Sequence, residues 1–221
     1  MEIINIINSP LYPAFAPKAA IRKVPLISGA ANALNSVYIE RGGNKQARDE
    51  LVQKLVNRTK LIENDQLEYA PLCIFAEGMT SNGTHLLPFK RGAFESMRTI
   101  TPCFFQMTSG QISPTYEVID FLPLLGLLLS SLYFRYAVTT IMPDFTPNAW
   151  MLENHADKGQ EPWEIYAWCL RDAMAKHSGF KTLDEKLSLK DKLEFFALMG
   201  EEKDEATING QIFKYKGGQP I

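Results

Sequence analysis

Apolar residues recur at helical spacing through Ala47, Leu51, Val52, Leu55 and Val56, with charges between them. That pattern predicts an amphipathic helix over 45–59, opened by Asn44 as N-cap. A second helix is predicted from Pro162. Trp163, Tyr166, Ala167, Leu170, Met174 and His177 share one face, and Gly179 ends it. Short apolar and β-branched runs predict strands at 37–39, 72–75, 100–107 and 138–142, the last stopped by Pro143. Between residues 8 and 17 prolines punctuate the chain, so 14–16 holds at most a short strand. One or two helical turns follow at 18–23 and stop at Pro25. Short helices are predicted at 27–34 and 189–198. Residues 200–205 are acidic and read as solvated, and the rest of the tail is polar and Gly-rich.

Strands alternating with helices predict an α/β fold, a central mixed sheet flanked by helices. The expected layout is one α/β domain over 1–180, then a C-terminal helix and polar tail over 181–221.

Composition narrows the class. The chain has 221 residues, 46% hydrophobic and 22% charged, which marks a folded globular protein with a real core. A net charge of −2 with no basic stripe argues against nucleic acid as a partner. The three Cys residues, Cys73, Cys103 and Cys169, lie far apart and form no Cys-x-x-Cys, so neither a disulfide framework nor a zinc site is expected. No other metal spacing is present. The first ten residues lack a basic region and read as neither a signal nor a transit peptide.

The stretch from Phe121 to Phe134 is almost wholly apolar but shorter than the ~20 residues that span a bilayer. One reading is a buried core helix. The other is a helix in the membrane interface or against a protein partner, with Leu124, Leu125, Leu127, Leu128, Leu129 and Tyr133 making the contact. The near absence of a polar face favours the second.

The candidate chemistry lies between Phe75 and Phe94. Glu77 and Gly78 follow a strand directly. Gly permits a tight turn there, and the acid can bind a hydroxyl. Ser81 and Asn82 add neutral donors and acceptors, and Lys90 and Arg91 add positive charge beside Gly92. Upstream, Arg41 stands at another strand end, before Gly42 and Gly43, where a guanidinium suits phosphate. Each residue alone reads as a solvated loop group. The ordered set suits an anionic head group.

The order strand-Arg41, then Phe-x-Glu-Gly-x-x-Ser-Asn-Gly, then Phe-Lys-x-Gly-Ala-Phe, then an apolar strand with Pro102 resembles the glycerophospholipid acyltransferases of the lysophosphatidic acid and lysophosphatidylcholine type. It covers most of the chain, from about Pro13 to the helix at 162–178, and is closest from Val24 to Cys103. The resemblance implies that Arg41, Glu77 and Gly78 help bind the glycerophosphate part of the acceptor, and extends the binding set to Ser81, Asn82, Lys90, Arg91 and Gly92. It implies a phospholipid or lysophospholipid ligand, acyl-CoA as co-substrate in an active member, and no resident cofactor. It also implies association with a membrane surface, of the endoplasmic reticulum or the mitochondrial inner membrane. Ala76 stands where the family usually has Pro, and Met79 where it often has Thr.

One departure concerns the chemistry itself. In the family a His acts as general base and an Asp, in a His-x4-Asp pair, fixes its tautomer. His85, His155 and His177 are followed at that spacing by Lys90, Gln160 and Thr182. No catalytic residue is assigned. The expectation is a non-catalytic relative that binds phospholipid or serves as a structural subunit of a membrane-associated complex, with other protein subunits as partners. The alternative is an active acyl-CoA:lysophospholipid acyltransferase whose catalytic His lies outside this chain.

Overall fold

The computed structural model describes residues 13–17, 19–23, 25–39, 45–64, 70–78, 85–108, 136–183, 205–208, 210–216 and 219–220, with 123, 126, 191, 194, 195, 197 and 198. The chain divides into two compact units: residues 1–76, 89–105 and 139–170, and residues 77–88, 106–138 and 171–221.

The first unit begins with β1 (Ala14–Phe15), a short 3-10 turn (Ala19–Lys23) and helix α1 (Pro25–Ala33). The helical turn ends before Pro25, as expected, and Pro25 also starts the next helix. Pro has no N–H to leave unpaired in a first turn, and its fixed φ suits that position. Helix α2 (Lys45–Glu63) runs one turn beyond the predicted end and buries Leu55 and Val56. Strand β2 (Leu72–Cys73) pairs in parallel with β1, with Ala14 beside Leu72 and Phe15 beside Cys73. On the other side of that strand, Ile39 N–H donates to Pro17 at 2.8 Å, and its carbonyl accepts from Ala19 at 2.9 Å. This alternation is the parallel ladder pattern. So the segments 37–39 and 72–73 flank one short strand.

The core of the first unit is aromatic. Phe94 and Tyr166 are its most buried large side chains. Their rings meet edge to face at 5.3 Å, with Phe89 stacked on Phe94 at 5.8 Å and Phe145 stacked on Tyr166 at 6.0 Å. The Tyr166 hydroxyl lies 2.9 Å from the Arg98 carbonyl and 2.8 Å from that of Phe145. Burial pushes its pKa up, so the phenol stays a donor. Helix α3 (Ala149–Asn154), not predicted from the sequence, is capped by Asn148, whose side chain accepts from Met151 N–H at 2.8 Å. Helix α4 (Pro162–Ser178) matches its prediction. Glu164 reaches back to accept from Gln160 and Glu161 N–H, and Gly179 closes the helix at φ +74°. Residues Pro162 to Leu170 of this helix belong to the first unit and Arg171 onward to the second.

In the second unit β3 (His85–Leu86) pairs in parallel with β6 (Lys181–Thr182). Strands β7 (Glu205–Ile208), β8 (Gln211–Lys216) and β9 (Gln219–Pro220) form an antiparallel meander in what was read as a polar tail. Gly210 stands at φ +78°, and Ile208 lies opposite Gln211 in register. The described residues of 191–198 are helical, within the helix expected at 189–198. Strands β4 (Cys103–Thr108) and β5 (Tyr136–Ile141) pair with each other.

The expected central sheet takes a different form. The described strands make small separate sheets of two or three strands, with helices beside them in sequence. Pro13 and Pro17 bracket β1, so its backbone has few donors to extend a ladder.

Pro123 and Gly126, inside the apolar run, are helical and exposed. Leu124, Leu125, Leu127, Leu128, Leu129 and Tyr133 lie outside the described residues. No helix among the described residues is long and apolar enough to cross a membrane.

Candidate functional site

Strand β2 delivers the chain to Glu77 and Gly78. Gly78 takes φ +70°, a left-handed turn that glycine adopts without steric cost. The Glu77 carboxylate reaches forward along the chain and accepts from Leu87 N–H at 2.9 Å. The two ends of the loop also meet through the backbone, where Lys90 N–H donates to the Ala76 carbonyl at 2.7 Å. Hydrogen bonds thus tie Ala76 to Lys90 and Glu77 to Leu87, while residues 79–84 between them lie outside the described residues.

The Phe-Lys-x-Gly-Ala-Phe block is built in two layers. Phe89 and Phe94 anchor it in the aromatic core, and a 3-10 turn (Arg91–Ala93) joins them. Lys90, just before that turn, is exposed. Arg91 is committed locally. Its Nε and Nη2 take both oxygens of Glu95, at 2.8 and 2.9 Å, and its Nη1 takes Asp49 at 3.0 Å. These bonds push the guanidinium pKa up, the Glu95 hydrogen bond most, and hold the Glu95 carboxyl below its ordinary value. Gly92 lies close to α2, so a Cβ there would sit 3.6 Å from Leu55 Cδ1. Asp49 and Glu95 were not singled out from the sequence. The Arg91–Glu95 pair sits at i,i+4, a spacing that marks side-chain neighbours on a helical turn and was open to reading.

Cys73 and Cys103 carry no sign of nucleophile duty. Burial, with Cys103 alongside, pushes the Cys73 thiol up to about 12, and burial raises Cys103 as well. A reactive Cys is a thiolate near neutral pH. His85 pairs its backbone with β6, beside Lys181 in register. His155 lies between Trp150 and Trp168, at ring distances of 5.9 and 5.3 Å. Arg41, Ser81 and Asn82 lie outside the described residues, while Glu77, Gly78, Lys90, Arg91 and Gly92 are placed as given above.

Residues 3–113, half of the 221-residue chain, match the model of the family described as Acyltransferase. The chain belongs to the acyltransferase family. The matched stretch contains the whole of the loop from Ala76 to Lys90. Over 185 residues this acyltransferase domain is 26% identical to a lysophosphatidylcholine acyltransferase of Drosophila melanogaster, covering 83% of this chain and 32% of that protein. Over 109 residues it is 28% identical to the lysophospholipid acyltransferase LPEAT1 of Arabidopsis thaliana, covering 49% of this chain and 27% of that protein. The alignments thus span about a third or less of those relatives' length. No solved structure matches the chain.

Proposed function

We propose that this acyltransferase domain binds the glycerophosphate part of a lysophospholipid, and that the 221-residue chain alone does not transfer acyl groups. The observation that carries the reading is Glu77 clamped on Leu87 directly before Gly78 in its left-handed turn, and the exposed Lys90 adds a cation later in the same sequence block. In this reading the Glu77 carboxylate accepts from a glycerol hydroxyl. Arg41 and the Lys90 ammonium attract the phosphate, with Ser81 and Asn82 as neutral partners. Arg91 contributes indirectly by holding its turn against α2 through Asp49.

The second part of the reading rests on proton transfer. Acyl transfer from a thioester to an alcohol needs a base at the hydroxyl, a contribution of ~100- to 10,000-fold. None of the three His residues has Asp in the His-x4-Asp relation. The role left to such a domain is to hold lysophospholipid at a membrane surface, with the apolar run at 121–134 in the interface, as part of a complex with other subunits. Two assays test this. The purified chain, given acyl-CoA and lysophosphatidylcholine, is expected to release no free CoA above background. Steady turnover would overturn the non-catalytic reading and make acyl-CoA the co-substrate; loss of that turnover in His85→Ala would then name the base.

A further inference from the structure

Arg171 is a charged side chain that is only 6% exposed. Burying a guanidinium is costly unless its donors are used. One of them, Nη1, donates to the Leu183 carbonyl at 3.0 Å. Leu183 is the residue just past β6, and its own N–H donates to the Leu86 carbonyl at 3.0 Å. The next residue, Leu87, donates its N–H to the Glu77 carboxylate at 2.9 Å. These contacts all lie within the second unit. They form one hydrogen-bonded line from the buried guanidinium to the carboxylate of the loop.

The line matters because β3 and β6 pair over only two residues each, His85 with Lys181 and Leu86 with Thr182. So short a ladder has little hold of its own. A charged donor fixed on a long helix supplies the missing anchor. Arg suits the task because its planar fork orients several donors at once and stays charged at every relevant pH.

We propose that Arg171 is a positioning residue: through Leu183 and β6 it holds β3 where Leu87 can clamp Glu77 in the orientation that receives the acceptor. The proposal rests on the function assigned above to Glu77. One arm of its test does not.

That arm is amide hydrogen exchange on the full chain. In Arg171→Leu the Leu87 and Leu183 amides are expected to exchange about tenfold faster or more, the scale of one lost charge-assisted hydrogen bond. The Ala14 and Ile100 amides, whose partners are Pro71 and Phe145, are expected to keep their wild-type rates. Unchanged exchange at Leu87 in a folded variant, or uniform acceleration at all four amides, overturns the proposal. Where Arg171→Leu does not fold, Arg171→Lys carries the test. Faster exchange confined to Leu87 and Leu183 supports the proposal, and wild-type exchange overturns it. The second arm is lysophosphatidylcholine binding below its micellar concentration, expected to weaken about tenfold in Arg171→Leu, as in Glu77→Gln. Absence of binding by the wild-type chain sinks the assignment of Glu77, while the exchange arm still decides the structural role of Arg171. Binding that Glu77→Gln weakens and Arg171→Leu leaves intact overturns the link between the two.

Discussion

At the scale of single residues, Arg91 shows how a cation of the candidate block is held by its neighbours in the fold. A Lys-Arg pair beside a phosphate-binding loop suggests two cations for one anion. The structure gives Arg91 to Glu95 and Asp49 and leaves Lys90 exposed. The Arg91 side chain is 42% exposed and that of Glu95 22%, so solvent screens the pair and its contribution is about 0.5–1 kcal/mol. The sign of its pH dependence follows from the lowered Glu95 value. The folded state binds fewer protons at this site than the unfolded one, so the stability is present above pH ~4.5 and is lost as pH falls through the lowered value. Urea unfolding at pH 7 and pH 3 checks this. Glu95→Gln is expected to lower stability by about 0.5–1 kcal/mol at pH 7 and to differ less from wild type at pH 3. The neutral role of the cysteines was legible, since Cys73 and Cys103 sit in apolar runs. Asp49 was not, because a partner 42 residues away in sequence leaves no local trace.

At the scale of elements, legibility followed the strength of local signals. Helix α4 announced itself by Pro162, a continuous apolar face and Gly179. The end of α2 was read short, since no breaker follows residue 59 and the chain continues to Glu63. Helix α3 was missed, although Asn148 before Ala149-Trp150-Met151 is a cap signal; at six residues it is too brief for periodicity to show. The β7–β8 hairpin was also missed, because polar neighbours masked the Asn209-Gly210 pair, a strong two-residue hairpin signal. Packing of α4 against the Phe89–Phe94 block gives a direct test. Tyr166→Phe keeps the rings but removes the hydroxyl from the Arg98 and Phe145 carbonyls, of which Phe145 still accepts from Ile100 N–H. It is expected to cost about 1 kcal/mol, read as a shift in the urea midpoint with little change in slope. The apolar run at 121–134 gives another. Replacing Leu127, Leu128 and Leu129 with Ser is expected to move the protein from the pellet to the supernatant when it is sedimented with liposomes. Unchanged sedimentation would remove the interface from the account.

At the scale of the whole molecule, the family and the mixture of helices and strands were legible from the ordered blocks between Val37 and Phe94. The sheet organisation was not. A sequence reports that a segment is extended, as at 72–75 and 138–142, but partner choice depends on contacts remote in sequence. Thus β3 finds β6 almost a hundred residues on, and β1 finds β2. The proposed function belongs to this scale too, because it concerns what the whole chain binds. Calorimetric titration of the purified chain with lysophosphatidylcholine below its micellar concentration tests that most directly, with Glu77→Gln and Lys90→Ala beside it. The account predicts saturable one-site binding, weakened about tenfold by either substitution, as loss of one charge-assisted contact requires. Binding of equal strength in all three proteins, or none in the wild type, would contradict it.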